Sequence, residues 1–306
     1  MMKDALFGGV NAAVLTAMNA DLSIDLDRMA AHCRWLLANG CNGLAVLGTT
    51  GEANSLGIQE RMGLLEGLIA RGIPASKMLP GCGTTALPDT VTLTQHAEKL
   101  GCRGALLLPP FYYKSPSDDG LLAYFNEVVQ RVGGSIALYL YNFPQQSAIP
   151  FGVDFIARLL KANPGKFKGI KDSSGNYENG LSYVENFAKD GFEVYAGDDT
   201  LMKPLLEKGS AGSITAASNV NSAIAAQVYA GWNTAAGAAA NEILCATRKA
   251  VISVPMIPAL KALVARNTGN PNWKYIRPPH LLLTAAQEAS LYTTFDACGL
   301  TLSKAA

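Results

Sequence analysis

The chain has 306 residues, with 25 Lys and Arg against 24 Asp and Glu, for a formal net charge of +1. That balance argues against a nucleic-acid binder, which usually shows a basic surplus or stripe. Hydrophobic residues make up 49 % and charged residues 16 %, enough to bury a large core and to exclude wholesale disorder.

Lys3 precedes the fairly apolar stretch 5–18, a faint likeness to a signal peptide, but Asp4 and Asn11 break that pattern. Val14-Leu15-Thr16 reads as the end of a first strand rather than part of a leader. From there strands and helices alternate. A strand over 9–16 leads to a helix over 26–38, and a strand over 43–47 to a helix over 59–70. A strand over 78–83 leads to a helix over 89–100, capped by Asp89 after Pro88 and closed by Gly101. A strand over 104–108 precedes a helix over 120–132, with Ser117 ahead of an acidic first turn and Gly133 behind. Strands over 136–141, 167–171 and 192–196 lead to helices over 153–162, 178–188 and 200–207, the last stopped by Gly209. An eighth strand covers 212–215.

Such alternation implies a parallel sheet with right-handed crossovers. Eight units in roughly 220 residues suit a (β/α)8 TIM barrel, with an open doubly wound sheet as the alternative. Past residue 222 only helical spacing remains, over 222–232, 235–251, 257–267 and 284–298. The expected division is a catalytic barrel over 1–232 and a small C-terminal helical domain over 233–306. No run approaches ~20 apolar residues, so no membrane span is expected, and a cytoplasmic protein is. Six scattered cysteines form no CxxC pair and read as buried reduced thiols. The three histidines, His32, His96 and His280, show no metal spacing, so no metal is expected.

In a barrel, reactive groups stand at the C-terminal ends of the strands. The second strand ends in Gly48-Thr49-Thr50-Gly51-Glu52 and the fourth in Pro109-Pro110-Phe111-Tyr112-Tyr113. The fifth ends in Tyr141-Asn142-Phe143-Pro144, the sixth in Lys171-Asp172-Ser173-Ser174 and the seventh in Gly197-Asp198-Asp199. Lys171 closes a short apolar strand and shares a face with Gly169. If that face is the interior, burial favours a free amine that attacks carbonyls and forms an imine. Alternatively, Lys171 is a rim lysine paired with Asp172 or Asp198, and the residues alone leave both readings open. Tyr141 ends the neighbouring strand and can either shuttle protons near that amine or simply pack, as Tyr139 can. Thr49 and Thr50 offer hydroxyls and backbone N–H groups for a small carboxylate, or a capped turn.

Two glycine patterns are weaker. Gly81-Cys82-Gly83-Thr84-Thr85-Ala86 has the form of a dinucleotide fingerprint, but no acidic residue ends the next strand, and it reads as a chance match. Gly209-Ser210-Ala211-Gly212 has no Lys or Arg close behind it and reads as a backbone turn.

Together the four motifs Gly48-Thr49-Thr50-Gly51-Glu52, Tyr141-Asn142-Phe143-Pro144, Gly169-Ile170-Lys171-Asp172-Ser173-Ser174-Gly175 and Gly197-Asp198-Asp199 resemble the dihydrodipicolinate synthase / N-acetylneuraminate lyase superfamily. The resemblance extends over essentially the whole chain, including Arg277-Pro278-Pro279. It implies a pyruvate-dependent class I aldolase or related lyase with no cofactor beyond a covalent imine on Lys171. It makes Tyr141 the proton-transferring phenol. Thr49 and Thr50 would hold the pyruvate carboxylate and link to Tyr141. Ile214 and Gly197 would line the substrate site, Ile214 through its backbone carbonyl. Tyr112 would complete the relay of a neighbouring subunit, which implies a homotetramer built as a dimer of dimers. The synthase branch has an arginine five residues after its motif tyrosine, where this chain has Gln146. A neutral amide suits hydroxyls better than a carboxylate. The expected substrates are therefore a 2-keto-3-deoxy sugar acid, pyruvate and an aldehyde, with neither nucleic acid nor membrane as partner. A dehydratase of such an acid, or dihydrodipicolinate synthase itself, are the alternatives.

Overall fold

The computed structural model describes residues 5–303. In chain order the elements are β1 (Gly9–Ala13), α1 (Leu26–Ala38), β2 (Gly43–Ala45), α2 (Ile58–Ala70), α3 (Leu87–Lys99), β3 (Gly104–Leu107), α4 (Asp118–Val132), β4 (Ala137–Asn142), α5 (Pro144–Ser147) and α6 (Val153–Ala162). There follow β5 (Phe167–Asp172), α7 (Tyr177–Phe187), β6 (Glu193–Ala196), α8 (Asp199–Leu206), β7 (Gly212–Thr215), α9 (Ser218–Gly231), α10 (Ala235–Ile252), α11 (Met256–Thr268) and α12 (Ala285–Asp296).

The described strands form a sheet in the order β2-β1-β7-β6-β5-β4-β3, with parallel pairings. Each strand from β3 to β7 neighbours its successor, and the order then returns to β1 and β2. A doubly wound sheet instead reverses at its first strand. The fold is a (β/α)8 TIM barrel followed by helices. The strand expected over 78–83 is reduced to one parallel bridge between Gly81 and Leu106. Pro80 has no N–H to donate, so the segment is held by Leu106 N–H on the Pro80 carbonyl (2.9 Å) and Cys82 N–H on the Leu106 carbonyl (2.9 Å). Helix α3 also starts earlier than expected. Ala86 is its N-cap and Pro88 occupies the first turn, where a missing N–H does no harm, so Asp89 lies inside the helix.

The described residues fall into two compact units, one of residues 5–8 and 74–213 and one of residues 9–73 and 214–303. In the first, Ser117 caps α4 by accepting from Gly120 N–H, and the helix stops at Gly133 with φ 76°. Phe125 of α4 packs edge-on against Phe151 and Phe167 at 5.8 Å, which seats α4 on β5. In the second, Asp25 caps α1 through Arg28 N–H. Asn219 of α9 extends the ladder past the end of β1: its amide donates to the Ala13 carbonyl (2.7 Å) and its oxygen accepts from Leu15 N–H (3.1 Å). That same oxygen lies 2.9 Å from His32 Nε2. An oxygen cannot donate, so Nε2 carries the proton of a neutral imidazole. Of the six cysteines, Cys245 and Cys298 are half-buried rather than buried. Burial pushes the Cys33 and Cys41 thiols up to about 12. Among the described residues no single helix is long and apolar enough to cross a membrane.

Burial pulls the His32 imidazole down from 6.5 to about 4, against a smaller upward pull from Asn219. The unfolded chain therefore binds the proton first as pH falls. Stability is full above 6.5 and declines towards 4, by about 3 kcal/mol at most. Urea unfolding between pH 7 and pH 4 should show that loss, and His32→Phe should flatten it. An equally steep decline in the variant would place the titrating group elsewhere.

Candidate active site

β4 reads Ala-Leu-Tyr-Leu-Tyr-Asn and β5 reads Phe-Lys-Gly-Ile-Lys-Asp. Alternate residues of each share a face. Leu138 pairs with Phe167 but Tyr139 pairs with Gly169, so Lys168 is an extra, exposed residue in β5. The shift brings Tyr141 level with Lys171 and Asn142 level with Asp172. On the far side of β5, Lys171 is level with Tyr195 of β6.

The side of each strand that meets the helices is identified by Asp172, whose carboxylate takes the amide of Asn179 in α7 at 3.1 Å. Lys171 therefore faces the other way, towards the sheet's inner surface. It is 5 % exposed and Tyr141 is 4 % exposed. The Lys171 Nζ lies 4.2 Å from the centre of the Tyr141 ring, which is itself stacked on Phe143. The alternative of a rim lysine paired with an aspartate does not hold. Asp172 accepts from Asn142 (2.8 Å), from Ser174 N–H (3.1 Å) and hydroxyl (2.9 Å), and from Asn179. Asp198 caps α8 through Thr200 N–H (2.9 Å) and hydroxyl (2.7 Å). No ion pair among the described residues includes Lys171.

One layer below stand Tyr139, Gly169 and Glu193, also level with one another. Glu193 is a buried carboxylate that sequence reasoning did not single out. It accepts from the hydroxyls of Tyr139 (2.9 Å) and Tyr195 (2.6 Å) and from Leu6 N–H (2.7 Å). Burial and then the Glu193 charge push both phenols well above the ordinary tyrosine value. Gly169 makes room for this cluster, because a Cβ there would lie 2.2 Å from the Glu193 carbonyl oxygen.

The other expected residues are more dispersed. Gly197 donates its N–H to the Asp172 carbonyl at 2.7 Å, and a Cβ would meet the Ser173 hydroxyl at 2.1 Å, so close strand packing by itself explains the glycine. Gln146 is exposed on the single turn α5, whereas its neighbour Gln145 bonds the Ser174 carbonyl at 2.5 Å. Tyr112 is 71 % exposed, edge-on to Tyr113. Gly83, in the chance dinucleotide pattern, would carry a Cβ 2.3 Å from Leu108 N, so close backbone approach accounts for it.

Thr49, Thr50 and Ile214 belong to the second unit. Ile214 is buried in β7. Thr49 and Thr50 lie in a turn closed by Glu52 N–H on the Thr49 carbonyl (3.0 Å) and Ala53 N–H on the Gly48 carbonyl (3.2 Å). Thr50 is buried and Gly51 passes close to β1, where a Cβ would sit 2.9 Å from the Val14 carbonyl oxygen. Glu52 takes the left-handed φ of 56°, unusual for a residue with a side chain. Its carboxylate pairs with Lys261 of α11 at 2.5 Å, with neither side chain exposed, and accepts Arg277 N–H at 3.1 Å. Lys261 also donates to the Tyr275 carbonyl at 2.6 Å. Burial drives the Lys261 ammonium down while Glu52 pulls it up. No group of three or more His, Cys, Asp or Glu among the described residues could hold a metal ion.

Residues 6–297 match the Dihydrodipicolinate synthetase family. A protein named as a DapA-like lyase, from Chloroflexus aurantiacus, is 32 % identical over 290 residues, covering 94 % of this chain and 96 % of the relative. Among solved structures, dihydrodipicolinate synthase from Agrobacterium tumefaciens superposes with a TM-score of 0.88 at 30 % identity, covering 95 % of this chain and 99 % of that one. YagE of Escherichia coli K12, described as a prophage protein of the dihydrodipicolinic acid synthase family in complex with pyruvate, superposes with a TM-score of 0.89 at 27 % identity, covering 97 % and 100 %.

Removing one half of the buried Glu52–Lys261 pair leaves an uncompensated charge, so Lys261→Met should destabilise the protein by about 3–5 kcal/mol. Adding Glu52→Gln should recover part of that loss in urea unfolding. A single variant as stable as the parent would show that the pair is not buried in solution.

Proposed function

The chain belongs to the Dihydrodipicolinate synthetase family, and from that premise we propose that it is a lyase in which Lys171 forms an imine with a 2-keto acid. The observation that carries this reading is a buried lysine set against a tyrosine ring, with both neighbouring aspartates already engaged.

In this reading the free amine of Lys171 attacks the C2 carbonyl of a 2-keto-3-deoxy sugar acid. Loss of water gives a protonated imine. The proton on the C4 hydroxyl passes towards Tyr141, the C3–C4 bond breaks, and its electron pair moves into the imine, which becomes an enamine as the aldehyde leaves. Protonation at C3 and addition of water then release pyruvate and restore the amine. The cationic nitrogen takes up the developing negative charge. By resemblance alone, Thr49 and Thr50 take the keto acid's carboxylate, Gly197 and Ile214 line the substrate site, and Tyr112, which is exposed, completes the relay of a neighbouring subunit in a tetramer.

Gln146 favours a hydroxylated second half over a carboxylated one. The names of similar proteins favour a second reading, condensation of pyruvate with aspartate semialdehyde as in dihydrodipicolinate synthase. Dehydration of the keto-deoxy acid is a variant of the first.

A pyruvate-release assay over keto-deoxy sugar acids, run beside the condensation with aspartate semialdehyde, separates these reactions. The expected result is faster turnover of a sugar acid. Lys171→Ala should abolish turnover, and Tyr141→Phe should lower kcat by about 10²–10⁴-fold. Faster condensation would reverse the substrate assignment, keto product without pyruvate would mark a dehydratase, and full activity in Lys171→Ala would remove the imine altogether.

A further inference from the structure

The outer faces of β4 and β5 are apolar until their last residues. Leu138 and Leu140 of β4, and Phe167 and Ile170 of β5, are buried. At the final position both strands change to polar residues, Asn142 and Asp172, which are equally buried. That position directly follows Tyr141 and Lys171.

The two polar side chains form a closed network. Asn142 donates from its amide to Asp172 Oδ1 at 2.8 Å. Its own oxygen accepts Phe151 N–H at 3.1 Å, which ties it to the segment before α6. Asp172 is held in addition by both donors of Ser174 and by Asn179 of α7. Main-chain bonds continue past the strand ends at the same level, from Ser173 N–H to the Asn142 carbonyl (2.8 Å) and from Gly197 N–H to the Asp172 carbonyl (2.7 Å). Four donors on one carboxylate leave it no capacity to turn towards a neighbouring cation.

We infer that Asn142 and Asp172 are positioning residues for the Lys171–Tyr141 pair, because the bond between them on the outer face fixes the spacing of the amine and the phenol on the inner face. The inference rests on the reading of Lys171 as the imine-forming lysine. An apolar pair would fill the same space, as it does two residues earlier, but would not lock one strand end to the other. The network also keeps the adjacent carboxylate directed away from the amine.

The test is the rate at which labelled pyruvate becomes fixed to the protein in the presence of borohydride, measured below the melting temperature of every variant. Asn142→Ala and Asp172→Ala should fix pyruvate about 10- to 100-fold more slowly than the parent while still labelling Lys171, the range expected for a displacement of about 1 Å. The exchanged pair, Asn142→Asp with Asp172→Asn, restores the cross-strand bond and leaves only Ser174 N–H unanswered. It should recover most of the lost rate. Single variants that label as fast as the parent, however much their melting temperatures fall, would overturn the inference. So would an exchanged pair no faster than the single variants. Absence of any adduct in the parent removes the imine reading and this inference with it, whereas a labelled parent with unaffected variants removes the inference alone.

Discussion

When two parallel strands pair, an offset of one residue decides which side chains stand abreast and which face they share. In β5 that offset is set by Lys168, the extra residue between Phe167 and Gly169. If Lys168 were instead paired in regular register after Leu138–Phe167, Tyr141 would stand level with Ile170 and Asn142 with Lys171. The amine would then share the helix-facing side with Asn142. Because Lys168 is bulged out rather than paired, a lysine stands beside a tyrosine inside the sheet, and the chemistry proposed for the chain depends on that register.

The surroundings preserve the arrangement by engaging nearby negative charge elsewhere. Glu193 lies on the same inner face, one layer below, but two phenols and a backbone N–H surround its carboxylate. Asp172 is adjacent in sequence, but its oxygens are bound on the outer face. What remains against Lys171 is an aromatic ring, whose attraction for a cation is about 0.5–2 kcal/mol. Breaking a buried ion pair costs about 3–5 kcal/mol, so a paired lysine would be far harder to recruit for chemistry. Glu52 and Lys261 show the contrast within one molecule, since their pair is closed and ties a turn to α11.

Much of this was legible in the sequence. A lysine closing a short apolar strand, with hydroxyls, glycines and carboxylates at this and the other strand ends, marked those ends as a candidate site. The two-residue period put Lys171 and Gly169 on one face, and they share it. The alternation of strands and helices gave the barrel, apart from the segment around Pro80, where a residue without an N–H left only a bridge. What was not legible depends on partners distant in sequence. Lys168 looks like an ordinary strand residue until β4 is laid beside it. Nothing around Glu193 announces that Tyr139, Tyr195 and Leu6 converge on it. Asn142 was visible within its motif, but its bond to Asp172 follows from register, which no single strand encodes. Asp89 was misplaced for a local reason, because Pro88 is compatible with the first turn of a helix as well as with the residue before one.

The most direct measurement of the central claim is peptide mapping of the protein after reduction with cyanoborohydride in the presence of pyruvate. The account predicts a single modified peptide, with the reduced keto acid on Lys171 and none on the exposed lysines such as Lys168. An unmodified Lys171, or label spread over surface lysines at similar levels, would contradict it.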